Sequence, residues 1–119
     1  MKRMSDREPI DDPLGLAGTV PDGRLRFAEA VEHEGGVTVY AATHLELGRE
    51  VLVECVDLRP PVVDAEARRS VLEAMREELQ LVHGLCDASP AVARVLGVSS
   101  LLTPSDRWVP YVVRERLAG

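Results

Sequence analysis

From Arg24 onward the chain alternates apolar and polar residues with the period of two that half-buried strands require. Three such runs follow one another, RLRFAEAVEHE (24–34), GGVTVYAATHLELG (35–48) and REVLVECVDL (49–58), with Gly35-Gly36 and Leu47-Gly48 supplying the turns. This arrangement predicts an antiparallel meander. Pro60 and Pro61 stop the third run, and the period then changes. Ala67, Val71, Met75, Leu79 and Val82 recur at helical spacing, with Arg68, Arg69, Glu73, Arg76 and Glu77 elsewhere around the wheel. The pattern predicts one amphipathic helix over 63–85, N-capped by Asp64, its apolar stripe packed into the core. Two more strand-like runs follow, ARVLGVSSLL (93–102) and WVPYVVRERL (108–117), separated by the turn-forming TPSD. The expected fold is therefore α+β: a five-stranded antiparallel sheet with one long helix inserted between strands 3 and 4. Residues 1–23, rich in Pro, Gly and Asp and without a period, are expected to form a flexible or loosely docked leader, with 24–119 as a single domain.

Composition narrows the functional classes. At 119 residues, 45% hydrophobic and 29% charged, the chain reads as one soluble globular domain. Aromatic residues are only 3% of the chain, too few for a base-stacking platform, and a net charge of −6 opposes a nucleic-acid backbone as partner. No run approaches the roughly 18 apolar residues of a membrane span, and Met1 to Pro13 is too polar for a signal peptide, so a cytoplasmic location is expected. Cys55 and Cys86 read as ordinary small residues without a disulfide. His33, His44 and His83 are dispersed, so no chelate spacing points to a metal. Nor do His33, Asp57 and Ser89 or Ser99 encode an activated nucleophile locally.

The order of elements, and three stretches within it, resemble the small N-terminal lobe of bacterial Ser/Thr protein kinases of the eukaryotic type. VYAATHLELGREVLVE (39–54) is similar to the segment joining the glycine-rich loop to the strand that carries the ATP-binding lysine. SPAVARVLGV resembles the segment after the helix, and VPYVVRERLAG (109–119) resembles the fifth strand and hinge. The resemblance covers roughly residues 25–119.

Kinase chemistry needs a backbone cradle for the phosphates, a lysine to hold them and a helix glutamate to orient that lysine. In the register set by Val39, the three loop glycines fall on Glu32, Glu34 and Val37, where carboxylates repel a triphosphate and side chains block close backbone approach. The lysine position is Glu54. The small residue lining the adenine slot is Leu52, and the gatekeeper position is Arg114. Val39 alone keeps its usual type. The helix glutamate corresponds to Glu78, or to its neighbour Glu77. Glu54 and Glu78 would then meet where a Lys–Glu pair sits, repelling by about 1–4 kcal/mol at about 4 Å. Either Arg114 relieves this by pairing with Glu54 or the helix stands away from the sheet. Read without the resemblance, alternation alone puts Glu54 on the strand face opposite Val53 and Cys55.

The H-R-D and D-F-G motifs of the large lobe are absent from these residues. The resemblance thus implies a pseudokinase-like module that uses no cofactor or metal and has no catalytic residue. It also implies that another protein, or a second copy, covers the hinge and large-lobe-facing surface. The competing expectations are the front end of a longer or split kinase, and an unrelated small α+β binding domain.

Overall fold

The computed structural model describes residues 12–86 and 95–116, with helix side chains described as far as Glu78. In chain order the elements are β1 (Leu25–Glu34), β2 (Val37–His44), β3 (Arg49–Val56), α1 (Ala65–Cys86), β4 (Val95–Leu102) and β5 (Trp108–Glu115). All strand pairs are antiparallel, and the sheet order is β1-β2-β3-β5-β4. The expected α+β fold is present, with α1 between the third and fourth strands. Elements begin or end up to two residues from the sequence-based bounds, except that β2 ends four residues short of its run.

Local chemistry accounts for the joints. Gly35 and Gly36 have φ of 61° and 81°, the pair of positive angles that a two-residue type I′ hairpin turn demands. The Gly36 carbonyl accepts a hydrogen bond from the Asp57 N–H at 2.8 Å, which ties the hairpin to the end of β3. Asp64 caps α1 as expected: its carboxylate accepts from the Ala67 N–H at 2.9 Å. Arg68, one turn in, lies over the Trp108 ring at 5.3 Å and donates from Nε to the Val62 carbonyl at 2.8 Å.

Strand alternation divides the sheet into two unlike faces. The core face carries Leu25, Phe27, Tyr40, Ala42, Val51, Val53, Cys55, Val109, Tyr111 and Val113, all buried. Phe27 and Tyr40 meet edge to face, with centroids 5.5 Å apart. What covers this face is the leader. Leu14 and Leu16 belong to the core, at 6% and 0% exposure. Tyr40 donates its hydroxyl proton to Asp12 and accepts from the Leu14 N–H, and Tyr111 donates to Asp22 at 2.5 Å. Asp12 also accepts from the N–H groups of Leu16 and Ala17 at 3.0 and 2.9 Å. The expectation of a loosely docked leader over 1–23 therefore needs correcting from Asp12 on, because two leucines and two Tyr–Asp bonds hold the segment to the sheet. Residues 1–11 lie outside the described residues.

A second correction concerns the helix stripe. Val71 and Met75 are half-buried, and no described residue of α1 belongs to the core cluster. The helix packs along β4 and over Trp108, on the face opposite the leader. With the leader filling the core side, α1 acts as a partial cover for the other face. Leu79, Val82, His83 and Cys86 lie beyond the described side chains.

Candidate functional site

The second face of the sheet gathers the positions singled out in the sequence. Residues directly opposite one another in antiparallel strands point to the same side. One row crosses the sheet as Glu32 (β1), Val39 (β2), Glu54 (β3) and Val112 (β5). The next row runs through Ala41, Leu52 and Arg114, and Glu34 opposes Val37 at the hairpin end. Val37, Val39 and Leu52 are half-buried, while Glu32 and Glu34 are exposed on the outer strand. Glu78 stands apart from this group. It is exposed on α1 and makes no hydrogen bond or ion pair among the described residues.

The centre of the face is an ion pair. Arg114 Nε donates to Glu54 Oε2 at 2.7 Å, reaching diagonally from β5 to β3. Their side chains are 22% and 32% exposed, so the pair is neither fully solvated nor buried. Of the two reliefs of the Glu54–Glu78 repulsion, the first is present, since Arg114 pairs with Glu54. The helix does not stand away from the sheet but packs along β4, with the Glu78 side chain exposed. One turn of alternation away, Val51, Val53 and Cys55 are fully buried on the core face. The face-opposite reading of Glu54 and its ion-pair reading are thus one geometry. A second pair, Arg49 to Glu115 at 2.6 Å, fastens the start of β3 to the end of β5.

Burial and hydrogen bonding displace four titrating groups of the core side from their ordinary values. Burial pushes the Cys55 thiol up, so it stays protonated and non-nucleophilic. Burial, and then the bond to Asp12, push the Tyr40 hydroxyl up; burial and Asp22 do the same to Tyr111. Burial alone would raise the Asp12 carboxyl, but the bonds from Tyr40 and from the Ala17, Leu16 and Gly15 N–H groups outweigh it and hold the carboxyl below its ordinary value. His33 Nδ1 is bonded to Thr38 Oγ1 at 2.7 Å, and His44 Nδ1 accepts from the Leu47 N–H at 3.3 Å. Among the described residues no cluster of three or more His, Cys, Asp or Glu is arranged to hold a metal ion. No described helix is long and apolar enough to cross a membrane.

Sequence reasoning left two groups unassigned. One is the pair of leader aspartates, whose tyrosine partners are 28 and 89 residues away. The other lies at the end of β3, where Asp57 joins Arg59 and Arg107. Compared with models of known families and with curated proteins, the chain matches none.

Proposed function

We propose that this chain is a non-catalytic, pseudokinase-like interaction or regulatory module of the cytoplasm that does not bind ATP in the kinase manner. One observation carries the reading. Where a kinase small lobe presents a lysine to phosphate, this sheet presents Glu54, with its carboxylate already engaged by Arg114 at 2.7 Å. A triphosphate on this face would meet Glu54, Glu32 and Glu34, and Arg114 would have to abandon a charge-assisted hydrogen bond to help it. The strand order β1-β2-β3-β5-β4, with the helix between β3 and β4, supports the small-lobe reading over an unrelated fold. Partner binding is supported by half-buried Val37, Val39 and Leu52 on the same face and by half-buried Val71, Leu72 and Met75 on α1.

A thermal-shift titration with Mg-ATP tests the nucleotide half of the reading. Ligand at about 100 times its dissociation constant would stabilise the fold by about 2.7 kcal/mol. The expected result is an unchanged melting temperature at millimolar nucleotide. A saturable rise would overturn the reading and favour an enzyme fragment. Light scattering coupled to size exclusion tests the partner half, with a concentration-dependent dimer or a stable complex as the expected outcome.

A further inference from the structure

At the end of the molecule where β3 leaves the sheet, one nearly buried carboxylate holds two arginines. Asp57 is 9% exposed; its Oδ1 accepts from Arg107 at 2.6 Å and its Oδ2 from Arg59 at 3.1 Å. The two guanidinium groups thus share one carboxylate, with one positive charge left over in a protein of net charge −6. They line a cleft of about 450 Å³ together with Pro13, Leu14, Thr103 and Ser105. Among the described residues no carboxylate lines it. Asp12, next to Pro13, is turned to Tyr40 and the Leu16 and Ala17 N–H groups.

We propose that this cleft binds a phosphate group. The donors are of the right kind and are already in place. Arg59 is 76% exposed and uses Nε and one terminal nitrogen on Asp57, which leaves its other terminal nitrogen to donate. Arg107 has one terminal nitrogen on Asp57, and its main-chain N–H is bonded to Thr103 Oγ1 at 3.1 Å. Thr103 Oγ1 and Ser105 Oγ lie 3.0 Å apart. Whichever of them donates, the pair keeps one O–H hydrogen for a ligand. Planar guanidinium groups beside a hydroxyl suit the several acceptor oxygens of a phosphate. Asp57 does for the arginines what a packed second layer does for any binding group: it fixes their orientation before the ligand arrives. A purely structural triad would need only Arg107, whose bond crosses from the β4–β5 hairpin to β3. Arg59 adds a second cation at the rim that the fold itself does not require. The site lies at the β4–β5 hairpin and does not depend on the Glu54–Arg114 face or on how that face is read.

The test is a titration followed by two-dimensional amide NMR at low ionic strength. Its arms are inorganic phosphate, a phosphoserine peptide and the same peptide unphosphorylated, with chloride as the ionic-strength control. The expected result is a saturable shift confined to residues 57–59 and 103–107. The variant is Arg59→Gln, chosen because that side chain is exposed and the Asp57–Arg107 bond survives; an unchanged far-ultraviolet spectrum checks its fold. It should bind at least about tenfold more weakly, the cost of one lost charge-assisted hydrogen bond. Tighter binding of the phosphopeptide than of inorganic phosphate places the group on a protein partner, and equal binding makes the ligand a free phosphate; both support the site. Shifts that fail to saturate, that chloride reproduces, or that Arg59→Gln leaves unchanged would overturn it.

Discussion

Arg114 and Glu54 behave as a unit because each removes the other's reason to attract a third charge. Changing Glu54 to Lys sets two cations side by side and should destabilise the fold by about 1–2 kcal/mol, a range between exposed and buried ion pairs. The exchange Glu54→Lys with Arg114→Glu should recover most of that loss in urea unfolding. If the double variant is no better than the single, the pair contributes nothing specific. Asp12 gives a pH signature of a different kind. Its folded carboxyl titrates below its ordinary value, so the unfolded chain binds more protons in the window between the two. Stability is then complete above the unfolded value near 4 and falls as pH drops through the folded value. Asp12→Asn should flatten that acid limb in thermal melts from pH 5 to 2 while leaving the neutral-pH slope untouched.

At the scale of elements, the first hairpin and the start of the helix are set by different chemistry. The β1–β2 hairpin depends on Gly36, whose φ of 81° is strained for any residue with a Cβ. A Cβ there would meet only the Asp57 carbonyl, at an ordinary 3.7 Å. Gly36→Ala should therefore cost about 1–2 kcal/mol from backbone strain alone, with no clash visible in a variant structure. A neutral effect in chemical denaturation would mean that the turn has relaxed to another type. The helix after β3 starts cleanly because Asp64 caps it and Arg68 anchors its first turn to Trp108. Its middle is held less firmly, since Val71, Leu72 and Met75 are only half-buried. Over the described side chains, an apolar stripe at helical spacing thus marks a helix without marking a core helix.

For the molecule as a whole, the leader from Asp12 on closes the core with Leu14 and Leu16. Leu16 is fully buried between the sheet and its own turn, and truncating it to Ala should cost about 2–5 kcal/mol. Against a typical total of about 5–15 kcal/mol, that is enough to lower the melting temperature by many degrees. Removing residues 1–23 altogether should leave a sheet that binds a hydrophobic dye, with Tyr40 and Tyr111 stripped of their partners. A truncated domain as stable as the full chain would contradict the packing of Leu14 and Leu16 against the sheet.

Much of this was written in the pattern of residues. Period two and period 3.6 are consequences of backbone geometry, so the five strands, the single helix, its Asp64 cap and the Gly-Gly turn were legible before any coordinates. The placement of Val51, Val53 and Cys55 opposite Glu54 followed from the same alternation. The choice of what covers each face was not legible, because it depends on contacts between residues far apart in the chain. A short stretch such as PLGLAG has too few apolar residues to show a period, and its two leucines count only once Tyr40 and Tyr111 offer hydroxyls to Asp12 and Asp22. The partners of Glu54 and Asp57 belong to the same class. Strand order brought Arg114 beside Glu54 from 60 residues away and Arg107 to Asp57 from 50. The sequence by itself determined the elements through local geometry, and tertiary structure decided the faces and ion pairs, since only folding brings those groups within hydrogen-bonding distance.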